Sequence, residues 1–278
     1  AYWIISQLTI MGRDNAVPCA TGFRIIGNKI STPQGDGPTA ATYGEGSHVR
    51  ILGNEYYECG TTASSKLYQV IYISNHTSAE ISDIEIAWNV IKDSNANRAI
   101  QIYADGPGHA DMVDIRIHDN LIANIRGNAI NINNHASDKI KIYNNIFYKC
   151  ARGPDFYDGL TNYAGVYIGG GLEEYKNDAR IYLFNNIFYE CGYARRPQDS
   201  GLLFIDYNFA GIVHVQNNIF CSNGEIWQPY MALDSKEPAK DSMANLFYNR
   251  RPRPFIFIPF DSNWRVPLWD TKALREDP

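Results

Sequence analysis

Five short stretches of the chain carry residue types that could do acid, base or binding chemistry. They read VIYIS at 70–74, AIQIY at 99–103, AININ at 129–133, GVYIG at 165–169 and LLFID at 202–206. In each, aliphatic residues alternate with others, as in a strand that buries one face. Aligned on the aliphatic positions, one outward column holds Tyr72, Gln101, Asn131, Tyr167 and Phe204. Its neighbour holds Ser74, Tyr103, Asn133, Gly169 and Asp206. His76, Asp105, His135, Gly171 and Asn208 come just beyond, and Arg98 and Asn128 stand just before.

Two reactions fit these parts. β-Elimination on a uronic-acid polymer needs a cation for the substrate carboxylate, a base for the C5 proton and an acid for the leaving oxygen. Tyr103 with His135 or His76 supplies acid and base, and Arg98 supplies a guanidinium suited to a carboxylate. Tyr72, Gln101, Asn131, Asn133 and Tyr167 would line the sugar. Strict alternation sets Arg98 on the opposite face from Gln101 and Tyr103, so its role requires a bend before Ala99, which the turn-like DSNANR provides. Hydrolysis instead needs two carboxylates, about 5–5.5 Å apart for retention or about 6.5–9.5 Å for inversion. Asp206 is the candidate here, with Asp105 several strands away and Asp155 and Asp158 on an insertion, GPDFYDG. Each of these residues also suits an ordinary strand surface.

Other motifs are weaker. The loop ADGPGHADMVD (104–114) reads as a plain turn, with Ca²⁺ as the alternative and His109 at its tip. YIGGGLEEY lacks the Lys-Ser/Thr ending of a phosphate loop, and its glycines would leave a flat floor beside Tyr167. NHT at 75–77 is a glycosylation sequon.

The elements that must position these residues are repeated. KIYNNIFYKC, RIYLFNNIFYEC and HVQNNIFC share one pattern. Setting the Asn in register gives a column of Asn28, Asn54, Asn89, Asn120, Asn145, Asn186, Asn218 and Asn249. Aliphatic residues stand three and five places earlier. Two places later come Ile30, Tyr56, Ile91, Ile122, Phe147, Phe188 and Phe220, with Arg250 and Arg251 after Asn249 breaking the column. The mixed column Arg24, Arg50, Glu85, Arg116, Lys141, Tyr182, His214 faces water as an ordinary solvated surface. About eight strand-forming units therefore stack in register, like residue on like, as an all-β solenoid. Asn tolerates the left-handed backbone of a sharp corner, and its amide can reach the Asn one coil away. Cys59, Cys150 and Cys191 each lie five residues after the corner Asn. Adjacent coils about 4.8 Å apart permit a Cys150–Cys191 disulfide, and stacked buried thiols are the simpler reading.

With its Asn column and NNIFY corners, the chain resembles the right-handed parallel β-helix family of pectate lyases, polygalacturonases, alginate and chondroitin lyases and phage tailspikes. The resemblance covers residues 1–250 and implies a right-handed helix of about eight coils. Residues 251–278 form an irregular segment leading to a cap. The clustered Asp and Gly-His-Gly of polygalacturonases are missing, so that activity is not carried over. The family implies a secreted or cell-surface polysaccharide-cleaving enzyme, a lyase or a hydrolase. The competing class is a non-catalytic fibre, adhesin or surface protein that associates end to end.

Bulk properties narrow the field. The chain has 278 residues, 45% hydrophobic, with a net charge of −5 and no Lys/Arg run, so it lacks a nucleic-acid footprint. No apolar stretch reaches the ~20 residues of a membrane span. Five cysteines without a CxxC pair give no zinc pattern. No secretion signal is visible, because AYWII already reads as a strand, and the chain is read as a processed or trimmed piece.

Overall fold

The structure, a computed structural model, describes residues 3–12, 17–18, 21–32, 39–41, 46–60, 68–75, 79–104, 112–133, 137–151, 163–169, 179–192, 200–205, 209, 212–222, 231–233, 241–243, 246–249 and 256–257. Its strands fall into three nine-stranded sheets, and every recorded pairing is parallel. The chain visits the sheets in strict rotation, one strand each, before returning to the first beside its previous visit. This is a parallel β-helix. Its described strands make nine coils, where the sequence suggests about eight. The additional one is the first (Ile4–Ser6, Thr9–Met11, Val17–Pro18), where Leu8 takes the place of the ladder Asn. The short run after each corner, such as Ile146–Tyr148, forms a sheet of its own.

The Asn-Asn pair divides two tasks between its members. The left-handed corner residue is the one before the ladder Asn: Gly27, Gly53, Trp88, Asp119, Asn144, Asn185 and Asn217 have φ between 52° and 65°. The second Asn builds the ladder. The side-chain oxygen of Asn186 accepts from the main-chain N–H of Asn145 at 3.1 Å and from its Nδ2 at 3.0 Å. Asn186 in turn gives Nδ2 to the carbonyl of Ile142 at 2.9 Å and to Asn218 Oδ1 at 3.0 Å. The same contacts recur from Asn28 to Asn218.

One alignment is corrected at the last coil. Ser222 pairs with Asn249 and Phe220 with Phe247, so Asn249 lies four places beyond the corner and Phe247, rather than Arg250, continues the aromatic column. By count the corner falls to Asn245, outside the described residues. Ile256–Phe257 then adds a ninth strand to the third sheet, so parallel pairing continues past residue 250.

The interior follows the inward columns. Phe147, Phe188 and Phe220 are fully buried, with centroids 4.8 and 4.7 Å apart. Cys59, Cys150 and Cys191 are buried free thiols, Cys150 and Cys191 on adjacent coils. Burial and the neighbouring Cys191 push the Cys150 thiol well up, which keeps it protonated.

Two substitutions separate the corner tasks. Asn186→Ala strips the acceptor from two buried donors of Asn145 and should cost on the order of 3–5 kcal/mol. Asn185→Gly keeps the left-handed geometry and should stay within about 1 kcal/mol of wild type in denaturant melts. Equal losses would break this division. Phe188→Ala should cost about 3–5 kcal/mol, because rings on both sides prevent the cavity from collapsing. A loss below about 1 kcal/mol would place that ring outside the core.

Candidate functional site

The third sheet holds the strands Gln69–Asn75, Arg98–Ala104, Asn128–Asn133, Tyr163–Ile168 and Ser200–Ile205 side by side. Pairings Gln101↔Tyr72, Gln101↔Asn131, Asn131↔Tyr167 and Tyr167↔Phe204 bring the first outward column into one row. Ser74, Tyr103 and Asn133 form the next row. His135, Asp206, His76, Asp105, Asp155, Asp158 and His109, with the centre of the 104–114 loop, lie outside the described residues.

Arg98 belongs to this face, through a break in alternation. Ala99 and Ile100 are both buried at 0% exposure, as are Val70 and Ile71, Ala129 and Ile130, and Leu202 and Leu203. Two successive inward residues return the preceding one to the outer side. Arg98 accordingly donates from its guanidinium to Gln101 Oε1 at 3.0 Å. The break lies within the strand, one residue later than the sequence suggested. Gly165 marks the same inward column: a Cβ there would come within 3.0 Å of Cys191 Cβ and 3.1 Å of Phe188 Cδ1.

Most of this outer face is buried. Gln101, Asn131, Ser74, Arg98, Asn128 and Tyr167 are all inaccessible or nearly so, while Tyr72, Tyr103 and Asn133 are partly exposed. Tyr72 and Tyr103 sit 6.3 Å apart, tilted by 43°, and Tyr167 stacks on Phe204 at 5.6 Å. The expected flat floor at Gly169 is corrected. The space its Cβ would fill holds the Tyr167 ring at 2.6 Å and Asn133 Oδ1 at 2.8 Å, so the glycine accommodates Tyr167 rather than a sugar. Among the described residues, buried Ser74 Oγ and Asn131 Oδ1 have no hydrogen-bond partner. They stand two coils apart, on either side of Gln101 and Tyr103.

The first sheet's outer face is more organised than a solvated surface. Asp83, in the left-handed region at φ 57°, accepts from Arg50 at 2.6 and 2.7 Å, from Arg116 at 2.8 Å, and contacts His48 at 3.0 Å. Arg50 continues to Glu85 at 3.0 Å. His118 sits between Glu85 at 3.1 Å and Asp119 at 2.7 Å, stacked on Tyr143 at 4.6 Å. The sequence carried a signal for part of this network: Arg50, Glu85 and Arg116 alternate in sign down one outward column.

Among the described residues, no group of three or more His, Cys, Asp or Glu is placed to hold a metal ion. Asn75 of the sequon is buried, with Nδ2 donating to the Ala79 carbonyl at 2.8 Å. Among the described residues, no helix is long and apolar enough to cross a membrane. No protein-family model, no curated protein and no solved structure matches the chain.

Burial alone would raise the Asp83 pKa, but hydrogen bonds from Arg50, His48 and Arg116 outweigh it and hold the carboxyl well below its ordinary range. Such a group stabilises the fold above its unfolded-state pKa of about 3.9, and the contribution disappears as pH falls through the lower folded value. Asp83→Asn keeps the left-handed backbone and removes the charge. Its stability deficit should be full at neutral pH and shrink steadily below about pH 4. A deficit that is flat down to about pH 2 would show that the charge does not contribute.

Proposed function

We propose that the outer face of the third sheet binds an extended polysaccharide and that the chain cleaves it by β-elimination, outside the cell or at its surface. The observation that carries this reading is the group of partly exposed polar side chains, Tyr72, Tyr103 and Asn133, beside the hydrogen bond from Arg98 to Gln101. Surface phenols and amides can exchange hydrogen bonds with sugar hydroxyls. The coil spacing also favours a repeating polymer. Strands lie about 4.8 Å apart, so a chain laid along the axis would meet an amide or phenol on each of the four coils from Tyr72 to Tyr167.

Elimination is favoured over hydrolysis by the composition of the five strands. They contain no Asp or Glu, and a glycosidase needs two carboxylates. They do contain a guanidinium and a phenol. In this reading Arg98, steadied by Gln101, meets the uronate carboxylate, and Tyr103 exchanges a proton with the substrate, with His135 as its partner. Tyr72, Asn131, Asn133 and Tyr167 order the sugar rings around them. The hydrolase alternative assigns the chemistry to Asp206 with Asp155 or Asp158.

Tyr103→Phe removes one hydroxyl from a partly exposed ring and should leave folding intact. Turnover on uronic-acid polymers, read as absorbance from new double bonds, should fall roughly 10²–10⁴-fold. Unaltered turnover removes Tyr103 from the mechanism. New reducing ends without new double bonds would support the Asp206 hydrolase. Binding without cleavage of any polymer would make the face an adhesin surface.

A further inference from the structure

Exposed large apolar side chains occur in only a few places among the described residues. Trp3, Ile4, Leu8 and Met11 belong to the first coil, whose strands lie at the ends of the sheets. The rest run in a line along the second sheet and its corner. Leu121, Ile146, Ile187 and Ile219 are exposed by 37, 43, 36 and 36%, one above another on four successive coils. Val90 extends the line on the preceding coil, and Trp88 stands exposed at the corner beside it. Beside the line runs a second outward column, with Ala123, Tyr148, Tyr189 and Cys221 in register and Tyr148 stacked on Tyr189 at 5.3 Å.

This face is built differently in the early coils. There the same column is Thr9, Lys29 and Glu55, with Glu55 paired to Lys29 at 3.7 Å and to Lys92 at 2.9 Å. From Val90 onward every residue in the column is aliphatic, through Leu246 in the last register. Purely parallel sheets are apolar on both faces where both are covered. In coils five to eight the second sheet has that character, with Ile122 and the Phe ladder inside and the aliphatic line outside.

We infer that this face is where two copies of the chain pair side by side. A 4.8 Å ladder of aliphatic ridges meshes along its whole length only with a ladder of the same period, and a second copy supplies one. Sheets stacked face to face keep their strands within about 30° of each other. A two-fold axis along the strand direction, between the coils of Ile146 and Ile187, sets each of these over the other on the partner. It also sets Leu121 over the partner's Ile219. The same axis brings Lys149 opposite the partner's Glu190, opposite charges that already lie 4.0 Å apart within one chain. The rim is polar and uncharged at Asn144, Asn185 and Asn217, as at interface margins generally. Five coils at about 4.8 Å by five residues at about 3.3 Å give a flat face of roughly 400 Å² per copy. That lies below the roughly 1,200–2,000 Å² total of stable interfaces, so the pair is a weak, concentration-dependent dimer.

Sedimentation velocity over about 1–300 µM tests this, the range in which a weak dimer of this size dissociates. Wild type should shift from monomer toward dimer, and the Ile146→Glu/Ile187→Glu variant should stay monomeric throughout. Both substituted side chains point outward, so circular dichroism and the denaturant midpoint should match wild type. Arg180→Glu, an exposed change on the first sheet, should associate as wild type does. A wild type that is monomeric at the highest concentration overturns the inference, as does a double-Glu variant that dimerises unchanged. Loss of association in Arg180→Glu equal to that in the double variant also overturns it. Binding of monomeric wild type to zwitterionic lipid vesicles through Ile146 and Ile187 would assign the face to a bilayer instead.

Discussion

One buried amide per coil governs this molecule. From Asn54 to Asn186 each ladder Asn receives two hydrogen bonds on a single oxygen and gives its nitrogen to the next Asn and to a main-chain carbonyl of the previous coil. All of this happens at 0–2% exposure, where an orphaned amide costs about 1–3 kcal/mol. A slip of one residue in any coil would orphan the amides above and below it and would turn the inward columns outward. The ladder therefore fixes register for all three sheets together. Its end is visible at Leu8, whose main-chain N–H still donates to Asn28 Oδ1 at 3.1 Å but whose side chain cannot extend the chain of amides.

Because register is fixed there, outward positions are free to differ, and the three sheets differ in kind. The first carries a charge network around Asp83 and Glu85. The second changes from an ion-paired column to an aliphatic one between Glu55 and Val90. The third presents amides, phenols and one guanidinium. The core also limits what the outer faces can do. At Gly165 the inward column of the third sheet has no side chain, because a Cβ there would meet Phe188 of the Phe ladder and Cys191.

Most of this was legible in the sequence, because repetition amplifies a weak period-two signal. Seven copies of the Asn column and five of the third strand identified the inward residues, and Ile71, Ile100, Ile130, Val166 and Leu203 are all fully buried. What was not legible came from single residues out of phase. The last coil reads MANLFYN, with two Asn four places apart, so pattern alone could align either. The break between Ala99 and Ile100 leaves no trace in hydrophobicity, since both residues are apolar. It is visible only because Arg98 and Gln101 share a face. The Asp83 network was hidden because it depends on a left-handed residue that turns a carboxylate back over two arginines, and no period encodes that.

The same reasoning separates what the strands can contribute from what must come from elsewhere. Arg98, Gln101, Tyr103 and Asn131 stand on residues whose backbone is locked on both sides by parallel neighbours. Such groups hold position to a fraction of an ångström, which suits orientation of a substrate and transfer of a proton over a fixed distance. The five strands offer no carboxylate at all, so any Asp that acts on the substrate must reach in from the segments between strands, as Asp105, Asp155, Asp158 and Asp206 would. In a solenoid those segments vary in length from coil to coil without disturbing the ladder. The rigid face thus fixes the relative positions of its side chains, and the proposed cleavage would depend on what the segments between strands add to them.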